Sequence, residues 1–232
     1  MTRKVITVPP TACLTEAQKL MAKYKIERLV VTRESNIIGI VTYAQIMSEL
    51  AKYTDSLTGL NKAEIFYEKA LEVLKEGREI AVIFLDLDNF GFINKEYGHI
   101  YGDNVLRQTA LILNGLIDSN KETLCRYTGD EFAAVTTRPL AEAEKLARQM
   151  VLTLANENWP GKIKVAISAG VAGGSCSELH SSAEDSSYIV KYLVNTASLA
   201  SARAKKLKKP VVAVKAIEPA ARPAHLGTAS RG

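Results

Sequence analysis

A chain of 232 residues has room for one large domain or two small ones. Its hydrophobic content of 47% supplies a core, but charges interrupt it too evenly for a membrane-spanning helix, and three cysteines (Cys13, Cys125, Cys176) without C-x-x-C spacing exclude a disulfide framework or a zinc site. The net charge of +5 comes largely from Arg203, Lys205, Lys206, Lys208 and Lys209. With no aromatic platform or nucleic-acid motif beside them, nucleic acid is not an expected partner, which leaves a phosphate ligand or a solvated helix face.

The N-terminus leads from Met1 into a short strand rather than an apolar leader segment, so no signal peptide, no membrane association and a cytoplasmic location are expected. Val5 to Val8 alternate as a strand that Pro9 and Pro10 stop. Thr15 and Gln18 have capping-box spacing before a helix with Ala17, Leu20, Met21 and Tyr24 on one side. Leu29–Val31 and Ile37–Val41 read as strands, and Thr42 and Gln45 form a second capping box before a helix carrying Ile46, Leu50 and Tyr53. That helix is expected to run toward Asp55 without a Pro or Gly break and to act as a stiff connection. Residues 1–53 form a β-α-β-β-α unit, too small to bury its core alone.

The remainder predicts a larger α+β domain over 54–215. Asn61 and Glu64 cap a helix that ends at Gly77. Ile80–Leu85 is a continuous apolar run, a strand buried on both faces, ending in Asp86 and Asp88. Gly102 or Asp103 begins a long helix with Val105, Leu106, Thr109, Ile112, Leu113 and Leu116 inward. Leu124–Tyr127 and Phe132–Thr136 flank a hairpin turn. Pro139 suits the first turn of a third helix with Leu146, Met150 and Leu154 inward; 163–172 is a strand, 186–206 a fourth helix and 211–214 a closing strand. The Ala-, Pro- and Ser-rich stretch 216–232 is expected to be a disordered tail.

The chemistry sits at two strand ends. Asp86 and Asp88, two apart, share a face, and charges at the end of a buried strand need partners or a metal. Asp130 and Glu131 occupy the hairpin tip, where adjacent side chains point to opposite faces. If the strand lies beside the hairpin, Asp86 and Asp130 converge, and their oxygens suit Mg²⁺, which takes one or two carboxylates and completes its shell with phosphates. Taken one at a time, the acidic tip also reads as a solvated turn, and Asp86 and Asp88 as strand caps.

Asp55–Asn61, Asp86–Phe90, Asn94, Tyr97–Asp103, Arg126–Phe132 and Ser168–Ala172 follow one another in an order and spacing that resembles the GGDEF domain of diguanylate cyclases. The resemblance implies a palm-like, nucleotide-cyclase-like fold with a mostly antiparallel sheet. It implies condensation of two GTP into cyclic di-GMP by a homodimer with Mg²⁺ or Mn²⁺. Asp86, Asp130 and the Leu87 carbonyl would hold metal, with Glu131 assisting the metal or the attacking hydroxyl. Asn94, Asp103 and Phe90 would bind the guanine nucleotide, and Lys205 and Lys209 its phosphates. Asn94 also reads as a cap, Asp103 as an N-cap, and the two lysines as complements to a helix dipole. His99, after a turn glycine, reads as structural.

Residues 1–53, ending in Ile38–Thr42, resemble one CBS motif. Such motifs pair and often bind adenine nucleotides, so a second copy and an adenine nucleotide are the implied partners. Gln45 stands where an aspartate for the ribose is usual.

Other positions depart from the GGDEF pattern as well. Thr128 replaces the first signature glycine, Gly91 a phosphate-binding lysine and Lys95 an acidic residue, Ser198 replaces an aspartate, and Lys208-Lys209-Pro210 replaces Gly-Arg-Asn. Ser119 to Glu122 stand where the product-inhibition motif R-x-x-D belongs; without the arginine, bidentate phosphate gripping is lost. Three readings follow: a slow cyclase, a GTP-binding receptor, or an interaction module with a vestigial site.

Overall fold

The structure is a computed structural model that describes residues 5–175, 179 and 186–216. Contacts divide the chain into Met1–Ser56 and Leu57–Gly232.

In the first unit, β1 (Thr7–Val8) runs parallel to β2 (Arg28–Arg33), which pairs antiparallel with β3 (Asn36–Thr42). Helices α1 (Leu14–Tyr24) and α2 (Tyr43–Tyr53) complete it, and the core is Val8, Ala17, Met21, Leu29 and Ile46. The Thr42 box forms: the Thr42 hydroxyl accepts from the Gln45 N–H, and Gln45 Oε1 accepts from the Thr42 N–H. The Thr15 box does not. Helix α1 begins two residues earlier, behind Cys13 as its N-cap, with no side-chain cap, and the Gln18 amide donates to the Met47 sulfur instead. Helix α2 stops at Tyr53, because Thr54 is extended (φ −115°, ψ 133°), so it does not run on to Asp55.

The second unit is built on a five-stranded sheet in the order β5-β6-β4-β7-β8. Its strands are β4 (Ile80–Leu87), β5 (Glu122–Thr128), β6 (Glu131–Thr136), β7 (Ile167–Gly174) and β8 (Val211–Lys215). All pairings are antiparallel except β7 with β8. The helices are α3 (Ala63–Lys75), α4 (Phe90–Tyr97), α5 (His99–Leu116), α6 (Leu140–Ala155) and α7 (Ser186–Leu207). Strand β4 shows why its apolar run is continuous. Ala81, Ile83, Leu85 and Leu87 face a core made with α5 and α6, while Ile80, Val82 and Phe84 face a second core made with α3 and α7. The side-chain period of two therefore assigns Asp86 to the α7 face.

Local signals gave way where tertiary partners were better. Asn61 does not cap α3, whose N-cap is Lys62; its amide donates to the Leu124 carbonyl and its own carbonyl accepts from the Arg126 N–H, fastening the loop to β5. Gly77, with φ of 67°, does end that helical segment. Helix α5 begins at His99 behind Gly98, so Asp103 lies inside it and is not an N-cap; Pro139 is the N-cap of α6 rather than its first residue. Strand β7 starts at Ile167, after a 3-10 turn at Pro160–Lys162. Cys176 and the stretch 217–232 lie outside the described residues, whereas Ala216 is buried and donates its N–H to the Gly173 carbonyl.

Candidate functional site

The hairpin closes through Gly129 and Asp130, with Thr128 opposite Glu131 and Gly129 at φ of 48°. Thr128 lies in extended strand outside the left-handed region, so a β-branched residue fits there without backbone strain. Arg126 Nε donates to the Gly129 carbonyl at 2.9 Å and holds the turn, and the Leu87 N–H donates to the Asp130 carbonyl at 3.3 Å. At the hairpin's base Tyr127 packs edge-on against Phe66 and Phe84, and its hydroxyl is 2.8 Å from that of Tyr67.

The strand end does lie beside the hairpin. Asp86 is directly opposite Glu131 on one side and Ser168 on the other, so the three form a row across the sheet. Like charges directly opposite repel. Partial burial, then the charges of Asp86 and Asp130, push the Glu131 carboxyl above its ordinary range.

Helix α7 answers this charge. Lys205 Nζ lies 3.1 Å from Asp86 Oδ1 and 3.5 Å from Asp88 Oδ1. Partial burial works against its proton, but the hydrogen bond to Asp86 and the charges of Asp86 and Asp88 outweigh that and raise its pKa. Ser168 Oγ donates to both Asp88 oxygens, at 3.0 and 3.2 Å, and Ser201 Oγ on α7 donates to the Ser168 carbonyl. Lys209 is not on the same helix face as Lys205, because Lys208 adopts the left-handed conformation (φ 52°) and ends the helix. The Lys209 N–H then folds back onto the Ala204 carbonyl. Lys205, Lys208 and Lys209 still share one cleft of about 590 Å³ with Asp88 and Ser168.

The guanine candidates meet at the α4–α5 corner. A Cβ on Gly102 would lie 1.9 Å from Asn94 Oδ1 and 3.2 Å from the Phe90 ring, so Gly102 lets both side chains rest on α5. Asp103, half-buried, is the next residue along. Gly91 has only open space where a side chain would stand, and Lys95 and His99 are exposed.

Glu122, in the stretch that stands where the R-x-x-D motif belongs, has a side chain 0% exposed. It accepts from Arg138 Nε at 2.6 Å, from the Thr136 hydroxyl and from the Asp118 N–H.

The set Asp86, Asp130 and the Leu87 carbonyl fits a magnesium- or manganese-type ion in donor chemistry: hard oxygens, and negative charge dense enough to perturb Glu131. No group of three or more His, Cys, Asp or Glu side chains among the described residues is gathered tightly enough to hold an ion by itself.

Sequence reasoning missed the Lys205–Asp88–Ser168–Ser201 chain and the Arg126 clasp. Period-two counting along β7 would have put Ser168 and Gly170 on the α7 face.

Comparison with known proteins agrees with this architecture. The sequence model "Diguanylate cyclase, GGDEF domain" matches residues 52–208, and the CBS domain model matches residues 1–52. A cyclic di-GMP phosphodiesterase of Shewanella oneidensis, PdeB, is 31% identical over 158 residues, covering 62% of this chain and 18% of PdeB. A diguanylate cyclase of Vibrio cholerae, VdcA, is 34% identical over 95 residues, 41% of this chain and 27% of VdcA. The chain thus spans under a third of the length of either relative. Among solved structures, the coiled coil and GGDEF domain of DgcB from Caulobacter crescentus, in complex with c-di-GMP, superposes with a TM-score of 0.61 at 19% identity, over 72% of this chain and 88% of that one, a likeness of fold. A sensory box/GGDEF family protein from Caulobacter crescentus is 29% identical with a TM-score of 0.54, over 67% of this chain and 99% of that one. No helix among the described residues is long and apolar enough to cross a membrane. With the motifs, the mixed sheet and the model match in agreement, the chain belongs to the GGDEF domain family and carries a CBS motif ahead of that domain.

Proposed function

We propose that the chain is a slow diguanylate cyclase that condenses two GTP into cyclic di-GMP. The observation that carries this reading is the row at the hairpin, where Asp86 faces Glu131 across the β4–β6 pair and Asp130 adds its charge to theirs. Asp86, Asp130 and the Leu87 carbonyl would hold Mg²⁺ or Mn²⁺, which when bound would neutralise phosphate charge in the transfer. Asn94 and Asp103 would hydrogen-bond the guanine edge, and Phe90, which like Asn94 rests on Gly102, would contact the nucleotide beside them. Lys205 and Lys209 would approach the phosphates from the cleft beside Asp88. Glu131, raised in pKa, is suited to take a proton from the 3′ hydroxyl as that oxygen attacks the α-phosphate of the partner nucleotide. Each site holds one GTP, so two copies must face each other.

A GTP-binding receptor is the second reading. It is favoured by the open space at Gly91, where the family carries a phosphate-binding lysine, and by Thr128 at the turn.

The N-terminal unit is assigned to dimerisation. Ile37 and Ile40 on β3 are 71% and 60% exposed, apolar surface that a second copy would cover. Both hydrogen bonds accepted by Gln45 Oε1 come from Thr42, so its acceptor is already used within the capping box, which weakens the case for an adenine nucleotide there.

The deciding experiment is prolonged incubation with GTP and Mg²⁺, with nucleotides separated by chromatography and Asp130→Ala as control. Cyclic di-GMP from the unmutated protein alone supports the cyclase. GTP binding by calorimetry without product supports the receptor. Neither binding nor product removes both readings.

A further inference from the structure

The Lys205 ammonium already sits on the Asp86 carboxylate that a divalent cation would take. Its nitrogen is 3.1 Å from Asp86 Oδ1 and 3.5 Å from Asp88 Oδ1, so one cation already spans both carboxylates. An ammonium and a divalent ion compete for the same carboxylate oxygen, and two cations side by side repel. The two carboxylates are not equivalent. Asp86 stands in the row with Glu131 and is opposed by a second negative charge. Asp88 lies just past the strand and is fixed: its N–H donates to the Ala166 carbonyl at 2.8 Å and both its oxygens accept from the buried Ser168 hydroxyl.

The helix that carries the lysine is fixed as well. A Cβ on Gly170 would fall 2.0 Å from the Ala197 carbonyl oxygen and 2.2 Å from the Ser201 nitrogen, so α7 sits directly on β7 one turn before Lys205. Ser201 Oγ adds a hydrogen bond to the Ser168 carbonyl. With both backbones pinned, what can move is the lysine's flexible stem.

We infer that Asp88 is a positioning residue for Lys205: the lysine is the resident counter-ion of Asp86, and it shifts wholly onto Asp88, held by Ser168, when a divalent cation takes Asp86. This rests on the assignment of Asp86 to the metal. The exchange keeps the lysine paired and beside the incoming phosphates, rather than expelled toward solvent. Ser168 is thereby a part of the site that never touches the metal.

The test is Mn²⁺ binding to the full chain without nucleotide, read by the paramagnetic resonance of the free ion, with circular dichroism to confirm folding of each variant. Lys205→Met removes the competitor and is expected to bind Mn²⁺ roughly three- to fivefold tighter, the upper range for releasing a partly exposed ion pair. Lys205→Arg keeps the charge and the wild-type affinity. Asp88→Asn leaves the lysine with Asp86 alone and weakens binding by a similar factor, and the Asp88→Asn/Lys205→Met double variant binds as tightly as Lys205→Met. Unchanged or weaker binding in Lys205→Met overturns the inference. So does a loss from Asp88→Asn that is equal with and without Lys205, which would make Asp88 a ligand itself. Asp86→Asn separates the two levels. Mn²⁺ lost in that variant upholds the metal assignment whatever Lys205 does, while binding that survives it, or is absent from the unmutated protein, sinks the assignment and the exchange together.

Discussion

The two units solve the burial problem differently. In Leu57–Gly232 the sheet is covered on both faces, with alternate residues of β4 divided between the α5–α6 core and the α3–α7 core. In Met1–Ser56 the described residues form a single small core cluster around Met21, Leu29 and Ile46, and β3 shows its isoleucines to solvent. A unit that size buries too little surface for an ample stability margin. Polar contacts therefore carry different weight in the two: in the larger unit they are enclosed and costly to break, in the smaller one they hold a margin that is already thin.

Breaking the contrast from the larger unit gives the largest effect. Arg138→Ala strands the enclosed Glu122 carboxylate with only Thr136 and the Asp118 N–H, and should cost about 3 kcal/mol, the usual scale for removing one partner of a buried pair. Urea unfolding should show the loss, and Glu122→Gln in the Arg138→Ala background should recover part of it. Gly170→Ala comes next. Its methyl meets backbone atoms of α7 rather than a yielding side chain, so about 2–3 kcal/mol is expected, together with loss of the Lys205–Asp86 pair. A melt that matches the unmutated protein would mean that α7 can shift off β7.

The smaller unit sharpens the comparison. Thr42→Ala removes the hydroxyl that accepts from the Gln45 N–H and donates to Gln45 Oε1, leaving the backbone half of the box, and should cost about 1 kcal/mol. That is little by itself, but hydrogen exchange should show α2 opening well before any β4 amide.

The smallest effect depends on pH. Burial, Asp86 and Asp130 hold the Glu131 pKa above 4.5, so in the window above 4.5 the folded state keeps a proton that the unfolded chain has released. Stability therefore falls as pH rises through that window. Glu131→Gln should raise Tm slightly at neutral pH, with the gain vanishing as pH drops toward 4.5. A gain that persists below 4.5 would assign the effect to packing rather than charge.

Much of this was legible in the sequence because it depends on periodicity. The β4 run, the inward faces of α5 and α6, and the glycine and acidic residues of the hairpin follow from spacing alone. The helix starts were less legible, since a capping residue chooses its partner only once the tertiary structure is present. Asn61 found the Leu124 carbonyl, and Gln18 found Met47. The displacement of Lys209 was hidden because Lys208 takes a left-handed conformation that glycine usually supplies. The pairing of Lys205 with Asp86 and Asp88 joins segments more than a hundred positions apart, and no local pattern carries it.

Strand β4 has a consequence of its own. It works as a partition wall. The corner assigned to the base, with Phe90, Asn94 and Gly102, belongs to the α5 side, whereas the row of Asp86, Glu131 and Ser168 opens to the α7 side. Under the proposed cyclase reading, a change that loosens α7 would thus reach the phosphate end while leaving base recognition intact, and nucleotide choice and turnover would be free to drift apart over evolutionary time.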